Sequence, residues 1–401
     1  MTKIEMIDGI GRLFDEKSQL SETVENRRRL ALWNLEIEPD EYSPGILSPL
    51  LPEHREEAIP ITADWDRMQW AILLGFSIKD YYTDPLSYLY WTLKVDLYRF
   101  QNFPDDTPLL KSVPIYLSVA LEPSLFGVRV NYSEEHEPLF TSSDAVLKSV
   151  HDLSTLKLPD FYSSGLMPLS HKFFSEISRI LPPDYTVVFP KWGRSPWGTA
   201  CGVRGMENLL IDTIENPRFV HELMAVITDS RKEYTKQRRK LVGSSDNDST
   251  CYNDECSPPM QSPASYEEYC FPYENDLCEF YGGLRWWHSC GNKSSLLDTI
   301  NEFTKPVRLI DFVTWDDELR EVCSKLPRQI PFSIRPSSKD INEKNETVIQ
   351  NNVRGIVSMM AGRNFYLRVD GFEPNRPTIE DVYTMQRYLN VARSECRQNS
   401  T

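Results

Sequence analysis

The chain has no apolar run long enough to cross a bilayer, no Cys-x-x-Cys pair, no Gly-x-Gly-x-x-Gly turn after an early strand and no excess of basic residues. Each absence removes a class of function. The most apolar stretch, "VPIYLSVALEPSLFGV", is broken by Pro114 and Glu122, so a membrane span is not expected. "MTKIEMIDGIGRLFDEK" places acidic residues where a signal peptide carries its apolar core, and a soluble cytoplasmic protein is the expectation. Lysine and arginine number 44 against 59 aspartates and glutamates, a net charge of -15. That balance argues against general nucleic-acid binding, which runs on cations displacing counterions from phosphates. The eight cysteines have no zinc-ribbon spacing, and without signs of secretion they read as reduced, mostly buried thiols.

What is present is an ordinary globular composition, 40% hydrophobic and 26% charged, over 401 residues. Residues 1–60 read as an extension packed on the main body: a polar helical opening, then "EIEPDEYSPGILSPLLPEH", whose closely spaced prolines forbid a long regular element. Residues 61–401 form the main domain. After two amphipathic helical stretches, "DWDRMQWAILLGF" and "PLSYLYWTLKVDLYRF", short β-branched or aromatic runs alternate with helical patterns. Seven strand candidates start near residues 112, 185, 249, 283, 307, 329 and 364. Helices between strands imply parallel crossovers and an α/β fold. At this length a (β/α)8 TIM barrel is expected, with one strand hidden from the count. A doubly wound sheet is the competing architecture.

In such a barrel, chemistry sits at the carboxyl ends of the strands. The segment "RWWHSCGN" ends one of them with His288 and Cys290 two residues apart. On a strand that spacing points both side chains to the same face, where imidazole and thiolate could share a zinc ion. A buried strand with a hydrogen-bonded histidine and a packing cysteine explains the same spacing, and both readings stand at this point. Tryptophans 192, 197, 286 and 315 crowd the strand ends with Arg194 and Arg335. They are candidate walls for a flat substrate and for its anionic group, although tryptophans also serve as barrel core.

The run "NDECSPPMQSPASYEEYCFPYENDLCEFYGGLRWWHSCGN", Asn253 to Asn292, resembles the hallmark segment of the uroporphyrinogen decarboxylase-like superfamily, in its zinc- and corrinoid-linked methyltransferase branch. The likeness extends more weakly over roughly residues 60 to 395. It implies a (β/α)8 barrel and zinc held partly by His288. In one branch the remaining ligands are cysteines, the second near the last strand; here "YLRVDGFEPNRP" offers Asp370 or Glu373 instead. In an ether-cleaving branch two upstream glutamates join the histidine, and the matching positions are Glu255 and Glu267, the latter separated from His288 by twenty residues. The resemblance therefore implies zinc on His288, Glu255 and Glu267, with Cys290 as an alternative ligand and Asp254 able to exchange roles with Glu255. The decarboxylase proper carries an Arg/Gly-rich N-terminal motif; "ENRRRLALWNLEIEPDEYSP" does not match it, so heme-pathway decarboxylation is not expected.

The implied activity is zinc-dependent transfer of a methyl group from a small methylated substrate, an O-methyl aromatic in the leading version, to a separate corrinoid-binding protein. No corrinoid-binding Asp-x-His-x-x-Gly motif occurs in this chain, so the cobalamin would sit on the partner. Alternatives are transfer from methylcorrinoid to a thiol or pterin, metal-free decarboxylation of a small aromatic or pyrrolic acid by Asp254 or Asp370 with Arg194, and a non-catalytic tetrapyrrole carrier. A homodimer is left open.

Overall fold

The computed structural model describes residues 3–36, 46–54, 59–243, 249–256, 258, 260–314, 319–370 and 376–398. Eight strands follow in chain order: β1 (Ile61–Ala63), β2 (Ser112–Pro114), β3 (Thr186–Val188), β4 (Thr250–Tyr252), β5 (Trp286–His288), β6 (Ile310–Val313), β7 (Phe332–Arg335) and β8 (Phe365–Val369). Every pairing between them is parallel. A six-stranded sheet runs β1-β8-β7-β6-β5-β4, while β2 and β3 pair with each other. The last strand closing on the first is what makes this a (β/α)8 barrel. One bridge, Arg194 to Tyr252, ties the chain beyond β3 to β4. The strand hidden from the sequence count is β1, only three residues long and wholly buried.

Helices follow the strands because each buried parallel strand must return over the outside of the sheet. Among them are Met167–Ser178, Pro217–Val242, Leu319–Lys325, Glu346–Met359 and Ile379–Gln398. The single helix expected over "SYEEYCFPYENDLCEFYGG" is two, Pro263–Tyr269 and Phe271–Tyr281. Pro272, in the first turn of the second helix, has no N–H to donate to Glu268, so the first helix does not run on and the chain turns a corner at Cys270. Among the described residues no helix is long and apolar enough to cross a membrane.

The N-terminal segment belongs to the core. Helix Lys3–Ser21 lies against helix Pro85–Asn102 and pins it through Lys17 Nζ to Asp96, 2.6 Å. Farther on, Leu32, Trp33, Ile46 and Leu47 join Trp286, Leu309 and Tyr366 in one apolar cluster. The last three sit at the beginnings of β5, β6 and β8, so the extension plugs the amino end of the barrel. Trp33 meets Tyr366 edge-on at 5.3 Å and donates its indole N–H to the Asp106 carbonyl at 2.9 Å.

Candidate metal centre at the mouth of the barrel

Strand alternation fixes which side chains enter the lumen. On β5, Trp286 and His288 share one face; on β8, Tyr366, Arg368 and then Asp370 do so. Apolar residues fill the plugged end, and charged ones occupy the carboxyl end. The β4 ladder continues one step through Asn253 N–H to the His288 carbonyl, 2.8 Å, which sets Asp254 directly over the end of β5. Asn253 is itself fixed: its carbonyl oxygen accepts from Ser195 Oγ at 2.7 Å and its amide donates to Glu274.

At this point Asp254, His288 and Cys290 converge. One donor atom from each lies within 4.8 Å of the others. His288 Nε2 is 2.9 Å from Asp254 Oδ1 and 3.3 Å from Cys290 Sγ. Behind the ring, Nδ1 meets the fully buried Asp311 carboxylate at 2.8 Å. That contact places the ring proton on Nδ1 and leaves Nε2 facing Asp254 and Cys290, the arrangement in which a carboxylate orients a metal-binding histidine. Asp254 Oδ1 pairs with Nε2 at 2.9 Å, and the same two atoms with Cys290 Sγ are close enough to meet one ion. The nitrogen, oxygen and sulfur donors fit zinc, which takes three protein ligands and keeps its fourth position open in catalytic sites.

A chain of alternating charge supports the cluster. Asp311 also takes Arg335 Nε at 3.1 Å; Asp370 takes Arg368 at 2.9 Å and Arg335 at 3.6 Å. Burial alone would lower the His288 pKa, but Asp311, Cys290 and Asp254 outweigh it and raise it well above the ordinary value. Burial would raise Asp254 and Asp311, yet His288 with Arg194 lowers the first, and His288 with Arg335 and Lys293 lowers the second.

The cluster opens on a cavity of about 120 Å³ walled by Tyr252, Trp286, Arg194, Arg335, Arg368 and Asp370, among others. Tyr252 and Trp286 stand edge-on, 4.9 Å apart, as its aromatic side. Each of the three guanidiniums already faces a carboxylate, Arg194 being held by Glu255.

Several candidates fall elsewhere than the sequence suggests. Glu267 is exposed on helix Pro263–Tyr269, which turns Tyr266 and Tyr269 inward and therefore Glu267 out, away from the cluster. Glu255 is occupied by Arg194 and is not among the converging donors. Trp192 and Trp197 are core, the first packed against Phe126 and Tyr234 and the second fully buried on helix Pro196–Arg204. Trp286, Arg194, Arg335 and Asp370 do line the cavity. Trp315 and Glu373 lie outside the described residues.

Sequence reasoning missed Asp311, Arg368 and Glu274. Asp311 had a signal, a lone carboxylate inside the apolar strand "RLIDFV", where it must find partners. Glu274 is the inward carboxylate of its region: buried, it accepts from Trp287 Nε1 at 2.8 Å and from the Tyr266 hydroxyl at 2.9 Å. Burial pushes its pKa up to about 7 against those donors.

Fold and site together define a (β/α)8-barrel protein with a cluster of aspartate, histidine and cysteine that could hold a metal ion at the carboxyl ends of its strands. The chain belongs to the uroporphyrinogen decarboxylase (URO-D) family, whose profile matches residues 75–354. Among solved structures it is similar to a methyltransferase from Methanosarcina mazei, with a TM-score of 0.61 and 14% identity, covering 86% of this chain and 96% of that one. A Listeria monocytogenes structure described as a vitamin-B12 independent methionine synthase matches at a TM-score of 0.36 and 12% identity, over 59% of this chain and 71% of that one. No curated protein sequence matches the chain.

Proposed function

We propose that this chain is a metal-dependent methyltransferase of the corrinoid-linked branch of its family, moving a methyl group from a small methylated substrate to a separate corrinoid protein. The observation that carries the reading is the grouping of Asp254, His288 and Cys290 in the cavity lining, with one donor atom of each within 4.8 Å of the others and Asp311 behind the histidine. These three residues would hold zinc. When bound, zinc supplies Lewis acidity to the heteroatom that bears the methyl group. Asp311 keeps the His288 proton on Nδ1, so that Nε2 remains available to the ion. Trp286 and Tyr252, edge-on to each other, offer an aromatic corner against which the ring of an O-methyl arene could pack. The open mouth is the side on which a corrinoid protein would dock.

One observation favours a second reading, transfer from methylcorrinoid to a thiol: the converging donors include Cys290, where the ether-cleaving pattern would have placed glutamates. A sulfur donor makes a site softer and better matched to a thiol acceptor. Metal-free decarboxylation draws less support, because Arg194, Arg335 and Arg368 are each engaged by a carboxylate of the chain instead of standing ready for a substrate's.

The test is methyl transfer assayed in both directions with a purified corrinoid protein, using methoxyarenes as donors and thiols as acceptors, for wild type and His288→Ala. Demethylation of a methoxyarene that His288→Ala abolishes is the expected result. Transfer only toward a thiol selects the second reading, and undiminished turnover in His288→Ala contradicts both.

A further inference from the structure

We infer that the protein carries a second small-molecule site, for a short-chain aliphatic carboxylate, in a cavity on the β1–β2 side of the barrel. This cavity measures about 90 Å³ and lies between helices Lys3–Ser21 and Pro85–Asn102 and the segments that flank β1 and β2. It shares none of its lining residues with the metal centre's cavity. No ladder joins β1 to β2 among the described residues, so side chains fill the seam.

The ligand class follows from Arg99. It lines the cavity and is 2% exposed, yet its Nε and Nη1 have no hydrogen-bond partner. Asp105 attracts Arg99 electrostatically but spends its hydrogen bonds on Arg29 Nη1 at 3.0 Å, the Thr107 hydroxyl and the Ala63 N–H, while Asp96 takes Lys17. A second buried donor, the Trp70 indole N–H, lines the same cavity and also lacks a partner. Buried donors left unmade are costly, and a carboxylate has enough lone pairs to meet a guanidinium edge and an indole together. The guanidinium's planar fork favours that geometry.

Size narrows the ligand further. The remaining lining is largely aromatic and aliphatic, including Tyr88 and Val95. The volume is well under the roughly 150 Å³ of an apolar cavity that admits benzene. A chain of three or four carbons therefore fits better than an aromatic ring.

Butyrate, propionate and benzoate are titrated against the full chain while thermal unfolding and tryptophan fluorescence are followed, with butanol as the uncharged control. Crystals are soaked in 3-bromopropionate to locate the bromine. The proposal expects saturable stabilisation by butyrate, none by butanol at equal concentration, and a bromine peak beside Arg99. Arg99→Met should weaken binding at least tenfold. Val95→Phe fills the cavity, keeps the guanidinium and should abolish binding, so the test survives if the arginine variant does not fold. No stabilisation by butyrate, which would mean that water alone meets Arg99, overturns the proposal. So do equal effects of butyrate and butanol, tighter binding of benzoate, a bromine at His288 instead, or binding that persists in Val95→Phe.

Discussion

Replacing Asp311 by Asn keeps the size of the side chain and an acceptor for His288 Nδ1, but removes the buried charge at 2.8 Å from the ring. At an effective dielectric constant of about 20, a pair at that distance attracts by roughly 6 kcal/mol before desolvation is subtracted. Removing one partner of a buried pair costs about 3 to 5 kcal/mol, and here Arg335 also loses its 3.1 Å partner and keeps only Asp370. For a histidine that binds a metal, losing the carboxylate behind it costs about 10- to 100-fold in affinity, about 1.4 to 2.7 kcal/mol. A proton competes for Nε2, and Asp311 strengthens that competitor as well, since it helps to raise the His288 pKa well above 6.5. The affinity loss should therefore grow as pH rises and should narrow as pH falls. The assay is zinc competition with a chromophoric chelator from pH 6 to pH 9, with circular dichroism confirming that the variant is folded. Equal zinc affinity in wild type and folded Asp311→Asn at the alkaline end would refute this account of the ring.

Trp33→Ala should destabilise the whole barrel by about 3 to 5 kcal/mol, because the extension is part of the core; a single shifted denaturation transition checks this, and an unchanged midpoint refutes it. Glu274 has a folded pKa of about 7 against an ordinary 4.5, so its stabilising contribution is complete below about pH 4.5 and is lost as pH rises through 7. That amounts to about 3 kcal/mol, and chemical denaturation across this range should fall more steeply for wild type than for Glu274→Gln. Glu267→Gln, on an exposed helix face, should leave stability within about 0.5 kcal/mol of wild type and metal content unchanged. Zinc loading should release protons, one of them from the His288 imidazolium, so isothermal titration in buffers of different ionisation enthalpy should show proton release at pH 7.

The barrel could be read from the chain because its signals are local: β-branched runs alternating with helical periods mark seven of the eight strands. β1 escaped notice because three residues, "ITA", give no period to count and follow directly on the proline-rich extension. His288 and Cys290 were visible as a pair because strand alternation maps a two-residue spacing onto one face. The carboxylate behind the histidine was not, because Asp311 reaches His288 from a neighbouring strand 23 positions away, and a pairing across strands leaves no spacing rule. Glu267 misled through sequence separation alone; which residue of "YEEY" faces inward depends on where the helix starts, at Pro263, and where Pro272 restarts it. For tryptophans, composition does not separate core from cavity wall, and of the described candidates Trp192, Trp197 and Trp286 only the last lines the cavity at the barrel mouth.

The most direct test of the central claim is metal content by mass spectrometry on protein purified without chelators, for wild type, His288→Ala, Cys290→Ala, Asp254→Asn and Glu267→Gln. The account predicts zinc near one per chain in wild type and Glu267→Gln, lost in His288→Ala and depleted in the other two. Well-folded wild type that takes up no zinc, or His288→Ala that retains it, would contradict the account.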